Sequence, residues 1–157
     1  MGGTATFTAA NAFKQAFYAQ AVSLFSSDPN VLVTFGHQGI QNNVDVIRLG
    51  ELTSSQVPAT LSNALRTREE TLTLKVQIAS YDAGESDNDL VASTRVYYLM
   101  GILENYVRTT DTTLGGVVRQ CFLTSHVSPG MTDGGLVGGG RIIESEATFT
   151  ALVRITS

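Results

Sequence analysis

Cys121 and His126 stand five residues apart in the sequence. A thiolate formed beside an imidazole is the centre of one class of covalent catalyst. The run from Val117 to Val127 reads as a strand, however, and residues an odd number apart on a strand point to opposite faces. A hydrogen bond between the two side chains would need a local distortion, so Cys121 is expected as a small core residue. The other histidine, His37, follows Gly36 in a loop and is expected at the surface, where it is available for a contact. Two histidines and one cysteine do not by themselves complete a four-ligand zinc site, and a lone cysteine forms no intrachain disulfide.

The carboxylates and glycines lead to similar conclusions. Asp82, Glu85, Asp87 and Asp89 are acidic enough for calcium, but the EF-hand spacing with its central glycine and terminal glutamate is absent. The expected role is a solvated loop feeding a helix N-terminus, where negative charge is favoured by the dipole. Glu69 with Glu70, and Glu144 with Glu146, are paired carboxylates of the kind that cleave glycosides. On a strand, however, the i, i+2 pair points to one solvent face and implies no pocket. The segment 128–140 holds six glycines. It precedes a strand and carries no lysine, whereas phosphate loops open a helix, so it is expected as a hairpin loop that orders on a partner. No enzyme, cofactor or metal is expected.

The elements that position these residues follow from composition and periodicity. The 157 residues carry 15% charged side chains and a net charge of −4, against roughly 25% charged in an average domain. Nineteen threonines and thirteen serines stand in their place. A hydrophobic content of 43% suits one folded domain with a real core. Only two lysines and a pI near 5.0 leave no basic patch for nucleic acid. Apolar runs are too short for a membrane span or signal core, so a soluble protein is expected. Met1-Gly2-Gly3-Thr4-Ala5-Thr6 fits the short myristoylation template, with a flexible tail as the simpler reading.

From Thr8, a plausible N-cap, Phe13, Ala16, Phe17, Ala21, Leu24 and Phe25 recur at helical spacing until Asp28-Pro29 stops the helix. Val31 to Phe35 reads as a strand, and Val44 to Leu49 as its partner across a Gly39 to Asn43 connection. Residues 50–66 contain Pro58 and many hydroxyls, and are expected to be irregular. Leu72, Leu74, Val76 and Ile78 alternate with polar residues in a half-buried strand. Ser86 and Asp89 form a capping pair for a second helix with Ala92, Val96, Leu99, Ile102, Leu103 and Tyr106 on its apolar stripe, running to about Arg108. Asp111 to Gly116 is a turn. The chain closes with Ile143, Ser145, Ala147, Phe149, Ala151, Val153 and Ile155 on one face of an overlong strand. The resulting class is α+β, a mixed or antiparallel sheet with two main helices packed on one face.

Three segments carry a family resemblance: Arg68-Glu69-Glu70-Thr71-Leu72-Thr73-Leu74-Lys75-Val76, Asp111-Thr112-Thr113-Leu114-Gly115-Gly116-Val117-Val118 and Glu146-Ala147-Thr148-Phe149-Thr150-Ala151-Leu152-Val153. In wording and order the chain resembles the tail-terminator proteins of long, non-contractile-tailed (siphovirus-type) actinobacterial phages, although the proline that often follows Asp in the middle segment is missing. The resemblance spans most of residues 1–157, read as a single tail-terminator-like domain. It implies a virion protein made in the host bacterial cytoplasm. Six copies would form a ring that caps the tail tube, ends its growth and joins the tail to the head connector. DNA would pass through without specific binding, and a ring of six would carry about −24, repelling phosphate.

Loop character alone nominates His37, Glu51, Met131, Thr132, Asp133, Leu136, Val137 and Arg141 as partner contacts. Neutral hydroxyls are cheap to desolvate, which favours oligomerisation with tube and connector proteins as further partners. Thr71, Thr73, Thr148 and Thr150 are expected on the non-core faces of two strands. Alternative readings are another phage neck or tail-tube ring component, and a small-molecule-binding α+β domain. The latter would need a polar cluster inside the sheet-helix layer, and the sequence displays none.

Overall fold

The computed structural model describes residues 3–36, 45–59, 66–82, 88–128 and 141–156. The order of elements is β1 (Thr4–Ala5), α1 (Ala10–Leu24), β2 (Val31–Thr34), β3 (Asp45–Pro58), β4 (Arg68–Asp82), α2 (Asn88–Asn105), β5 (Gln120–Val127) and β6 (Arg141–Ile155). The six strands form one mixed sheet in the order β1-β6-β4-β3-β2, with β5 pairing to the same side of β6 as β1. Two helices pack on one face of this curled sheet, as the alternation of its strands requires.

The core lies between helices and sheet. Phe13, Phe17 and Ala21 point down from α1, and the Phe17 ring meets Phe149 of β6 at 4.8 Å between centroids. Ala92, Val96, Leu99 and Leu103 do the same from α2 onto Leu72, Leu74, Val76 and Ile78 of β4. Burying side chains of this size contributes roughly 1.5 to 3 kcal/mol each. The fifteen residues of β6 keep their alternation throughout, with Ile143, Ser145, Ala147, Phe149, Ala151 and Val153 buried.

Several local expectations are corrected. Residues 51–58, expected to be irregular, continue β3 along β4 as far as the pair Pro58↔Arg68. A bulge sets Gly50 and Glu51 against Lys75, so that Leu49 and Leu52 both turn toward the core although they are three residues apart. That odd spacing hides the strand from a period-two reading. A β-carbon on Gly50 would lie 3.2 Å from the Lys75 carbonyl, so glycine eases the close approach. Val46 and its neighbours pair with β2, but in parallel, beginning Val31↔Asp45, which excludes the expected hairpin.

The strand expected from Val117 starts later, at Gln120. Leu114, Gly115 and Gly116 all hold positive φ and draw the turn out to residue 119. α2 ends its regular turns at Asn105 and closes with a π-helical turn, Tyr106–Thr110. The proposed capping pair Ser86 and Asp89 falls outside the described residues or side chains.

The N-terminus of α1 departs most from the local expectation. Its N-cap is Ala9, not Thr8, and Ala9 has no capping side chain of its own. Glu70 of β4 supplies the carboxylate instead. Its two oxygens accept the Ala9 N–H at 2.8 Å and the hydroxyls of Thr8 and Ser54 at 2.5 and 2.6 Å, with the Gln56 amide at 3.1 Å.

Candidate functional site

The face of the sheet turned away from the helices carries the hydroxyls. Its register places Thr53, Thr73, Thr150 and Phe122 in one row, and Ser55, Thr71, Leu152 and Gln120 in the next. Thr71, Thr73, Thr148 and Thr150 are half-buried on that face, as their phase predicts. The Thr124 hydroxyl lies 2.8 Å from that of Thr150 and donates to the Thr148 carbonyl at 3.2 Å. Threonine suits such a pleated surface, and its neutral hydroxyl can be covered by another protein at small cost.

Ion pairs bracket this band. Toward the start of β4, Glu69 accepts from Arg154 at 2.6 Å and from Arg119 at 3.1 Å. Toward the middle of β4, Lys75 stands 3.7 Å from Glu51 and 3.8 Å from Glu146. All are solvent-screened pairs, each contributing at most about 1 kcal/mol. Glu51 is thus an exposed bulge residue held loosely by Lys75, accessible to a partner. Arg141 opens β6 opposite Asp82. His37, Met131, Thr132, Asp133, Leu136 and Val137, with most of the glycine-rich segment, lie outside the described residues.

The edges of the sheet are open over long stretches. β2 covers β3 only from Asp45 to Arg48, so among the described residues the outer edge of β3 from Gly50 to Pro58 pairs with no strand. Among the described residues β5 pairs only with β6. Unpaired edges are templates for pairing with another chain.

Cys121 and His126 are resolved differently from the sequence expectation. A bulge at Thr124 supplies the distortion that the strand needed, so Cys121 stands opposite Ala151 and His126 opposite Ala147, both of which face the core. The two side chains therefore share a side of the sheet. His126 is exposed and its ring meets Tyr97 of α2 edge-on at 5.4 Å. Burial pushes the Cys121 thiol up to about 12, which keeps it protonated and unreactive at neutral pH. Among the described residues no three His, Cys, Asp or Glu side chains converge for a metal.

Two polar clusters inside the helix-sheet layer went unseen in the sequence. Glu70 is one. Burial acts to raise its pKa, but hydrogen bonds from Ser54, Thr8, Ala9 and Gln56 outweigh it and hold the carboxyl below its usual value. The signal was available: the inward phase of Leu72, Leu74, Val76 and Ile78 runs back to position 70, where a carboxylate is out of place.

The second cluster joins α2 to the strand starts. Arg95 donates to Asp45 at 2.8 Å and to Asp28 at 2.5 Å, while the Ser80 hydroxyl donates to the other oxygen of Asp45 at 2.6 Å. The hydrogen bond to Asp45 is the main cause holding the Arg95 guanidinium above its usual pKa. Asp28 is held below the usual carboxylate range by the Asn30 backbone N–H and then by Arg95. Both clusters are satisfied internally, which makes them structural fasteners more than ligand sites.

The outer side of α2 is apolar as well as the inner. Leu90 is 72% exposed, with Val91, Tyr97 and Tyr98 also at the surface. Leu90, Val91, Thr94 and Tyr98 line an open cleft of about 560 Å³. Exposed apolar side chains gathered in this way form a patch beside Thr94 and Arg95 that is unlike the polar outer face of an ordinary surface helix. No protein-family model matches the chain, and no curated protein matches it.

Proposed function

We propose that the protein is a structural subunit of a phage virion, assembling as a hexameric ring that caps the tail tube, ends tube growth and joins the tail to the head connector. One observation carries the reading. The subunit offers a hydroxyl-rich face together with, among the described residues, unpaired strand edges on both sides of the same sheet. A ring subunit needs two such surfaces, one for each neighbour.

The segments that carry the family resemblance also support it by their placement. Arg68–Val76 lies in β4 and Glu146–Val153 in the adjoining β6, and Asp111–Val118 leads to Arg119, whose N–H donates to the Leu152 carbonyl at 2.8 Å. The three therefore share one region of the sheet. Electron microscopy of the purified protein mixed with tail tubes tests the proposal. Rings on tube ends are expected. Extended tubes would instead assign the chain to the tube itself, and bare tube ends would remove the capping role.

A further inference from the structure

The two edges of the sheet fit each other in level. On one edge, β5 lies along β6 from the pair Gln120↔Leu152 to the pair Val127↔Glu146. Carried across β4, these levels reach β3 at Ser55, through Leu152↔Thr71↔Ser55, and at Arg48, through Glu146↔Gln77↔Arg48. On the other edge, β2 covers β3 from Asp45 to Arg48 and ends there. β5 therefore stands at the levels that β2 leaves bare, and β2 stands beyond the end of β5. Each edge has the step that the other lacks.

Direction and faces agree as well. β3 and β6 run one way and β4 and β5 the other, so a β3 strand laid beside β5 continues the antiparallel order. Both edge strands bulge at one level: Gly50 and Glu51 lie opposite Lys75, and Thr124 lies beside Thr148, the partner of Lys75 on β6. Past its bulge, β3 turns Leu52 toward the core and Thr53 away from it; at the same levels of β5, Leu123 and Phe122 do likewise. Residues 53–57, Phe122 and residues 124–127 are exposed, and neither 53–57 nor 120–127 contains Lys, Arg, Asp or Glu. Edges that face water are ordinarily guarded by such charges.

We infer that β5 of one copy pairs antiparallel with β3 of the next, with Leu123 opposite Leu52, Phe122 opposite Thr53 and Gln120 opposite Ser55, so that one sheet runs from subunit to subunit. The bulges end the ladder on one side, where the Lys14 ammonium already donates to the Gly50 carbonyl at 3.0 Å. The contact covers Phe122 and keeps the hydroxyl face of every copy on the same side of the shared sheet. It joins unlike surfaces, so it closes into a ring or grows as an open chain according to its rotation. The inference rests on the ring reading and names the strands that join the subunits.

Thr53→Cys and Phe122→Cys in one chain test it, because facing residues of paired strands lie within disulfide range. The variant, checked for folding by thermal melt, is oxidised alone at millimolar concentration and on tail tubes, and read on non-reducing gels. A covalent series of dimer, trimer and larger species is expected. Each single-cysteine variant can link only two copies and is expected to stop at dimer. Amide hydrogen exchange of the wild type needs no variant: residues 52–55 and 120–123 are expected to slow about tenfold or more on assembly.

A double-cysteine variant that folds and assembles yet gives nothing longer than dimer, or an assembled wild type with unchanged exchange in both strands, overturns the interface. If that protein still caps tubes as closed rings, the ring reading survives without it. If the double variant does not fold, the exchange measurement decides. A covalent series that runs past six copies as open chains keeps the interface and removes the ring. Protein that stays monomeric with and without tubes overturns both.

Discussion

The carboxylate of Glu70 accepts the backbone N–H of Ala9 at 2.8 Å, so the first turn of α1 is capped from a strand sixty-one residues away in sequence. A helix start is ordinarily finished by its own neighbours. Here the cap also ties the helix layer to the sheet.

Glu70→Ala strands the buried Ala9 N–H and takes away the shared acceptor of Thr8, Ser54 and Gln56, which lie at the surface and can turn to water, and is expected to cost about 1 to 3 kcal/mol in urea unfolding. Glu70→Gln keeps the shape and costs less. The folded-state pKa of Glu70 is depressed, so its contribution is full above the unfolded carboxyl value and disappears as pH falls through the folded one. Acid titration of stability should therefore show a shallower loss below pH 4.5 in Glu70→Gln than in the wild type. Parallel curves would mean that folding leaves the Glu70 carboxyl unshifted.

Arg95 holds the buried carboxylate of Asp45 and fastens α2 to the strand starts. Arg95→Met removes the cation and leaves Asp45 with Ser80 alone, a loss expected near 3 kcal/mol. The double variant Arg95→Met, Asp45→Asn should recover much of it. A denaturant double-mutant cycle measures the coupling, and additive effects would contradict a direct pair.

Cys121, with its thiol raised to about 12, should not react with an aromatic disulfide reagent at pH 8 in the folded protein. Reaction should appear only as fast as the protein opens, and at full rate in denaturant. A fast native reaction would place the thiol at the surface.

Thr73 lies on the face turned from the helices, so Thr73→Lys is expected to change stability by no more than about 0.5 kcal/mol. If that face meets a neighbouring protein, the same substitution buries a charge and abolishes ring formation on tubes. A folded variant that caps tubes normally would return the threonines to mere strand preference.

Deleting residues 131–139 tests the glycine-rich segment independently of the sheet. Altered tail length or failed head joining is expected, read by electron microscopy of assembled particles. Normal tails joined to heads would take this segment out of the mechanism.

Periodicity made β4 and β6 legible because each keeps one face in the core over its length, and both helices because their inner stripes are continuous. β3 was half-hidden for two reasons: the Gly50/Glu51 bulge shifts its phase, and beyond Leu52 both of its faces are wet, so no alternation is written there. The parallel pairing of β2 was hidden because strand direction leaves no trace in side-chain alternation. The distant cap and the Arg95 cluster depend on which residues the fold brings together, and a search among sequence neighbours does not reach them. The apolar outer side of α2 was written in the sequence as Leu90, Val91, Tyr97 and Tyr98, but the inner stripe alone had been needed to define the helix.

The placement of β6 between β4 on one side and β5 and β1 on the other sets the order in which the protein can fold. Fifty-eight residues separate the end of β4 from the start of β6, so the middle of the sheet emerges from the ribosome well after β3 and β4. Until then β4 has a bare flank, and its longest set of backbone pairings waits on a distant part of the chain. Such non-local closure is slow, and it leaves sticky edges exposed on the nascent polypeptide. The sparse charge that suits the mature surface gives these edges little electrostatic protection during synthesis, which makes folding yield at high temperature the most sensitive measure of this design.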